Sequence, residues 1–246
     1  MPLLSWLADR LILCPTVHPI EAGDEKRREV IPVADSFIEA WVGEHVPESN
    51  FALNQLAILK FPGTAGRAER AGVHPAEMLR RFQSEIWTIN LPGYGGSPGA
   101  ASIKKMADCA SASYSFVSEK LRCPVLVSGN SLGCLSALYV AANFSVAGLI
   151  LRNPPPIHEL IRTRPRYAAW SLGLSKWIAN EVPRELDAVK NATTVECPCL
   201  FVQSEQDKVV PTKYQDLIIN QFKGQKKVLV IPGADHHEPL GDEQMD

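Results

Sequence analysis

The stretch that decides the fold is Cys123-Pro124-Val125-Leu126-Val127-Ser128-Gly129-Asn130-Ser131-Leu132-Gly133, with the helical run that follows it to Phe144. Its first six residues form an apolar run of the kind that makes a buried strand. Gly129 to Gly133 then read G-x-S-x-G. Beyond them Leu132, Leu135, Leu138, Tyr139 and Ala142 recur at three- and four-residue steps, which predicts a helix. A serine on so tight a strand-to-helix turn is held in a strained backbone conformation, with its hydroxyl projecting above the sheet. The two glycines answer the crowding of the turn and the close packing of helix on strand. An ordinary strand–helix turn with a capping serine leaves a similar pattern, so the rest of the chain has to supply the partners.

Outward from this stretch, short apolar runs alternate with helical patterns, the signature of an α/β sheet. Strands are predicted at Arg10–Cys14, Phe37–Gly43, Gln55–Phe61, Glu85–Asn90, Cys123–Ser128, Ala147–Leu151, Cys197–Gln203 and Lys227–Ile231. From the third strand on, helical segments fall between them. Ile103, Met106, Ala107, Ala110, Tyr114, Val117 and Leu121 give one helix an apolar stripe, and Thr212 to Phe222 reads as another. The first two strands have no helix between them, only the polar, proline-bounded segment Pro15 to Pro32, so an antiparallel start is expected to lead into a parallel sheet. Residues 153–196 are the one long interruption. That length suits a small cap over the end of the sheet, since long insertions in compact domains are usually lids or binding loops. The expectation is one α/β domain over residues 1–246, with an eight-stranded, mostly parallel sheet flanked by helices and a small cap insertion.

Bulk properties narrow the function classes. The 246 residues, 46% hydrophobic and 21% charged, are enough for one sizeable core. The formal net charge of −2 gives no basic footprint for nucleic acid. No apolar stretch approaches the ~20 residues needed to cross a bilayer. The first ten residues carry Asp9 and no basic leader, which makes a poor secretory signal. Of the six cysteines, most sit in apolar strand or helix patterns, as small buried thiols do. Cys197-Pro198-Cys199 has the wrong spacing for a redox or zinc pair. A cytoplasmic protein with reduced thiols, and with no metal or organic cofactor, is expected.

A serine hydroxyl needs an adjacent base to become a nucleophile, the base needs an orienting acid, and the tetrahedral intermediate needs N–H donors. For this strand–turn–helix context the chain order is serine, acid, histidine. Asp207 is the acid candidate: it follows the apolar run Cys199-Leu200-Phe201-Val202, in Ser204-Glu205-Gln206-Asp207-Lys208-Val209-Val210-Pro211. Loops at the carboxyl ends of parallel strands are where such sheets build sites. A turn aspartate before a helix fits the same pattern, and Glu205 competes with it. His236 is the base candidate, after Val228-Leu229-Val230-Ile231 and the turn Pro232-Gly233-Ala234-Asp235. Its neighbour His237 makes the choice ambiguous, because adjacent side chains diverge and only one can face Ser131. A metal-binding histidine pair would need further ligands, and none cluster nearby. The amide of Leu132 is one oxyanion donor candidate. The other comes from the loop Lys60-Phe61-Pro62-Gly63-Thr64-Ala65-Gly66-Arg67, where Gly63 permits a close bend and Thr64 offers its N–H. A glycine turn merely joining strand to helix reads the same way. The loop Leu91-Pro92-Gly93-Tyr94-Gly95-Gly96-Ser97-Pro98 lacks the spacing and lysine of a phosphate loop. Tyr94 and Asn130 are read as walls of the substrate pocket.

Together these pieces resemble the α/β-hydrolase superfamily over roughly Gln55 to Pro239, and within it the small-cap serine hydrolases. The resemblance is carried by Phe61-Pro62-Gly63-Thr64, by Asn90-Leu91-Pro92-Gly93-Tyr94-Gly95-Gly96-Ser97, by the serine turn, and by the Asp207 and His236 segments. It implies a serine hydrolase acting on a carboxylic ester or thioester through an acyl-enzyme intermediate, with Ser131, Asp207 and His236 as the triad. An acyltransferase or peptidase would use the same three residues. A catalytically silent binding protein on the same fold is the other class. The chain departs from the family pattern where Pro62 stands for a frequent histidine and Asn90 for a frequent aspartate. It departs again after His237, where only nine residues remain in place of the usual final helix. Arg162, Arg164 and Arg166 with Tyr167, Trp170 and Trp177 give the cap either a recognition surface for an anionic group or acyl chain, or a solvated basic face over an aromatic underside.

Overall fold

The computed structural model describes residues 2–47, 54–79, 81–163 and 174–238. The chain opens with a helix, α1 (Pro2–Leu13), and then lays down β1 (Arg27–Val33) and β2 (Ser36–His45). Next come β3 (Asn54–Phe61), β4 (Phe82–Asn90), α2 (Met106–Leu121), β5 (Val125–Asn130), α3 (Gly133–Asn143) and β6 (Gly148–Arg152). Between β6 and β7 (Cys199–Ser204) lie α4 (Ile157–Thr163), α5 (Leu174–Glu181) and α6 (Ala188–Ala192). After β7 come α7 (Thr212–Gln221) and β8 (Lys226–Ile231).

The eight strands form one sheet in the order β1-β2-β4-β3-β5-β6-β7-β8. β1 pairs antiparallel with β2, and β2 antiparallel with β4. Every pairing from β4 to β8 is parallel. This is the α/β-hydrolase fold expected from the sequence, with two corrections. The run at Arg10–Cys14 is the last turn of α1, not a strand. The first strand lies instead at Arg27–Val33, all but its last residue within the segment read as a polar connection. It is an edge strand whose only fully buried side chain is Ile31, so charged residues and Pro32 are tolerated along it. The second correction concerns the β3–β4 crossover. Its described residues hold only 3-10 turns at Ala68–Arg70 and Ala76–Met78, where a helix was expected.

Alternation along the strands splits the core into two faces. Ala57, Leu59 and Phe61 of β3 join Val127 of β5, Leu135 and Leu138 of α3, and Met106 and Ala110 of α2 in the larger cluster. Leu56 and Ile58 point the other way, into a small cluster with Ala76 and Ile86. Each buried leucine or isoleucine contributes about 1.5–3 kcal/mol by leaving water. The parallel strands β3 to β8 all end at one side of the sheet, and there the loops after β3, β5, β7 and β8 meet.

Candidate active site

Ser131 follows the last residue of β5 with φ of +49°, the left-handed conformation that a non-glycine residue adopts only under constraint. The constraint is visible. Its amide donates to the Arg152 carbonyl at the end of β6 at 2.8 Å, and its carbonyl accepts from the Cys134 amide at 2.9 Å. A Cβ on Gly129 would stand 2.7 Å from the Cys134 Cα, and one on Gly133 would run into the Phe61 carbonyl oxygen. Both glycines are required by close backbone approach, as the sequence pattern implied.

Two loops bring Asp207 and His236 to this turn. Asp207 follows β7 and is 4% exposed. Its Oδ1 accepts from the amides of Val209 at 2.8 Å and Val210 at 2.7 Å. Its Oδ2 lies 2.6 Å from His236 Nδ1. On the far side of the ring, His236 Nε2 lies 2.9 Å from Ser131 Oγ. A proton on Nδ1 facing the carboxylate leaves Nε2 as the acceptor facing the hydroxyl. The chain that carries His236 is zipped to the chain that carries Asp207: the Gln206 amide donates to the Ala234 carbonyl at 2.8 Å, and Glu205 Oε2 accepts from the Gly233 amide at 2.8 Å. Glu205, the rival acid, thus holds the histidine loop and does not touch the imidazole. His237 is exposed and stands edge-on to His236, with ring centroids 5.0 Å apart.

Gly63 packs directly on the serine turn. A Cβ there would lie 3.1 Å from the Asn130 carbonyl oxygen and 3.2 Å from the Ser131 Cβ. The next amide is that of Thr64. Among the described residues neither the Thr64 nor the Leu132 amide donates to a protein acceptor. Two unspent N–H groups beside a serine are what a developing oxyanion needs.

The remaining expected site residues fall in different places. Asn130 is exposed at the end of β5, next to Ser131. Tyr94 is 4% exposed and lines a small cavity of about 20 Å³ with Pro62, Gly63 and Leu132. Its hydroxyl donates to the Leu13 carbonyl of α1, and burial pushes its phenol pKa up. Arg162 is exposed on the last turn of α4, and Trp177 is half-buried against the core. Arg164, Arg166, Tyr167 and Trp170 lie outside the described residues, as does the chain after Glu238. Two other histidines make backbone contacts: the buried His158 has its Nε2 3.3 Å from the Val182 carbonyl, and the carbonyl of His18 accepts from Arg67 Nη1. Among the described residues no cluster of three or more His, Cys, Asp or Glu is placed to hold a metal ion. No helix among them is long and apolar enough to cross a membrane.

Two contributors escaped the sequence reading. Gln215 of α7 is fully buried, with Nε2 2.7 Å from the Val210 carbonyl and 3.5 Å from Asp207 Oδ2. Its signal was faint: a polar residue on the inward stripe of a helix that follows the acid loop. Arg152 supplies its carbonyl to Ser131 and donates through Nη2 to the Glu238 carbonyl. Burial lowers the pKa of its guanidinium, against the opposing pull of Asp207 and Glu238. An arginine at a strand end carries no such signal in sequence.

The sequence model of the alpha/beta hydrolase family matches residues 62–246. An uncharacterized protein of Mycobacterium tuberculosis is 25% identical over 239 residues, covering 94% of this chain and 80% of that protein. A lysophosphatidylserine lipase of Danio rerio is 28% identical over 182 residues. That match covers 67% of this chain, which spans about half of the lipase (46%). Among solved structures, the acetyl xylan esterase of Paenibacillus sp. R4 superposes with a TM-score of 0.67 at 18% identity, covering 97% of this chain and 88% of the esterase.

Proposed function

This chain belongs to the alpha/beta hydrolase family, and from that premise we propose that it is a serine hydrolase cleaving a carboxylic ester or thioester through an acyl-enzyme intermediate. The observation that carries the reading is the His236 imidazole spanning Asp207 Oδ2 at 2.6 Å and Ser131 Oγ at 2.9 Å. Ser131 Oγ attacks the carbonyl carbon while His236 Nε2 takes its proton. The Asp207 carboxylate, held by two backbone amides, stabilises the resulting imidazolium. The Thr64 and Leu132 amides receive the negative charge on the former carbonyl oxygen. Collapse of the intermediate expels the alcohol or thiol, which takes the proton from Nε2. Water then repeats the sequence on the acyl-serine, releasing the carboxylic acid and restoring the hydroxyl.

In this reading the helices between β6 and β7 are a small cap within a single domain, residues about 153–196 covering the carboxyl end of the sheet. The substrate is a small molecule or an acyl group, with Asn130 and Tyr94 at the pocket wall. The lipase and esterase named among the similar proteins act on esters by their names, which agrees with this class.

A fluorophosphonate probe tests the proposal, together with a panel of acyl esters and thioesters of graded chain length. Covalent labelling of the protein that disappears in Ser131→Ala, with turnover of at least one panel member, is the expected result. A folded wild-type protein that neither labels nor turns over any ester or thioester overturns it in favour of a binding protein. Turnover only with an amine or alcohol acceptor present would make it a transferase.

A further inference from the structure

We infer that α1 is the brace of the oxyanion loop, and that the Tyr94 and Thr64 side chains are positioning residues which hold the Thr64 amide by tying it to the end of that helix. The inference rests on the reading of Ser131 as nucleophile.

The last carbonyls of a helix have no partner within it and must find donors elsewhere. At α1 the donors to the last two, Ile12 and Leu13, come from the loops at the site. Thr64 Oγ1 donates to the Ile12 carbonyl at 3.1 Å. The Ala65 amide donates to the Leu13 carbonyl at 3.0 Å, and the Tyr94 hydroxyl donates to the same oxygen. Ala65 has φ of +57°, a left-handed conformation for which a side chain is penalised, so something must fix it. The amide bond to Leu13 does so. The chain just beyond α1 is stitched to the same loops. The Gly95 amide donates to the Thr16 carbonyl at 3.1 Å. Arg67 Nη1 reaches the Thr16 carbonyl at 3.1 Å and the His18 carbonyl at 3.0 Å.

The consequence is a loop with its hydroxyl, its following amide and its neighbouring tyrosine all committed to α1, while the Thr64 N–H remains unspent. The Thr64 and Tyr94 hydroxyls and the Ala65 amide take the carbonyls at the helix end, and among the described residues the Thr64 amide meets no protein acceptor. On the opposite side Gly63 rests on the Asn130 carbonyl and the Ser131 Cβ, so the loop is clamped between α1 and the serine turn. α1 adds no strand to the sheet. It is itself anchored by Asp9, 8% exposed, whose Oδ1 accepts from the Ile103 amide at 2.8 Å. A helix fixed at Asp9 and spent at Ile12 and Leu13 transmits a fixed position to the loop.

Tyr94→Phe and Thr64→Val each delete one tie and keep the shape of the side chain. Each is expected to lower kcat about 3- to 30-fold with KM within about twofold, because a displaced donor weakens only the transition state; outright loss of a donor costs about 10²–10³. Thr64→Ser, which keeps the hydroxyl, should restore kcat. Circular dichroism and melting report whether each variant is folded, and Tyr94→Phe stands as an independent arm where Thr64→Val fails to fold. A folded Tyr94→Phe/Thr64→Val double variant with wild-type kcat overturns the inference, as does a raised KM with kcat unchanged. Wild-type protein that labels with fluorophosphonate while these variants keep full kcat sinks only the brace. Wild-type protein that never labels sinks the nucleophile reading and the brace with it.

Discussion

The Cα of Gly133 lies against the carbonyl oxygen of Phe61 so closely that even one methyl group cannot be placed between them. The neighbour is backbone at the end of β3, so no rotamer change relieves the clash. Gly133→Ala is expected to cost about 3 kcal/mol and to lower the Tm by roughly 6–12 °C, since overpacking a rigid site forces backbone to move. Thermal unfolding monitored by circular dichroism reads the effect. A variant that melts with wild type would mean that α3 slides freely against β3.

Asp207 and Glu205 are two residues apart and do different work. Asp207→Ala removes the carboxylate that meets His236 Nδ1; on the proposed mechanism it orients the imidazole and stabilises its cation, and kcat is expected to fall about 10³–10⁴-fold. Glu205→Ala removes one hydrogen bond to the Gly233 amide at an exposed position, so less than about tenfold is expected. Steady-state kinetics on the same ester separates them. An equal or larger loss in the Glu205 variant would reassign the acid.

His74 is half-buried, and burial first, then the nearby positive charges of Lys60 and Arg152, lower its pKa from 6.5 to about 4. Glu77, 4.0 Å away, does not offset this. The folded protein therefore binds fewer protons than the unfolded chain between about pH 4 and 6.5, and stability falls as pH drops through that window. Above pH 6.5 His74 adds no slope. His74→Gln should flatten the decline between pH 6.5 and 4.5, measured by denaturant unfolding at several pH values. An unchanged slope would assign the acid sensitivity wholly to the carboxylates.

Asn90 shares its amide nitrogen between two buried carboxylates, Glu39 at 2.8 Å and Glu69 at 2.9 Å, while its oxygen accepts from the Ala68 amide at 2.9 Å. Arg67 and Arg28 supply the countercharge. Asn90→Asp would put a third carboxylate where a donor is needed. A loss of about 3–5 kcal/mol at pH 7.5 is expected, partly recovered at pH 5 as one acid takes a proton. Unfolding free energies at the two pH values check this. Equal stability at both would show that the network tolerates the charge.

Much of this was legible because it is local. The serine turn announces itself through an apolar run, two glycines and a helical stripe within about twenty residues. Asp207 and His236 each follow an apolar strand at a turn. What stayed hidden depends on distance along the chain or on the edge of the sheet. β1 buries only Ile31 and carries Arg27, Arg28, Glu29 and Pro32, so it lacks the alternation that marks a half-buried strand. The run Leu11-Ile12-Leu13 looks like a strand because a short apolar segment does not reveal its period. The choice between His236 and His237 turns on backbone geometry. The contact between Asn90 and Glu39 spans 51 residues, and no spacing rule connects them.

Among the described residues β8 has a single strand neighbour, β7, and Val228 and Val230 on it are 40% and 45% exposed. The hydroxyl at 131 is rooted in the interior of the sheet, whereas the imidazole at 236 hangs from its margin. These two anchors need not melt together. On the proposed mechanism, fraying at the margin would part proton acceptor from proton donor while the other seven strands stay zipped, giving a native-looking molecule that is silent. Mild heat or denaturant should therefore extinguish turnover reversibly before the far-ultraviolet signal changes, and the margin becomes the natural place to engineer durability of activity, as distinct from durability of shape.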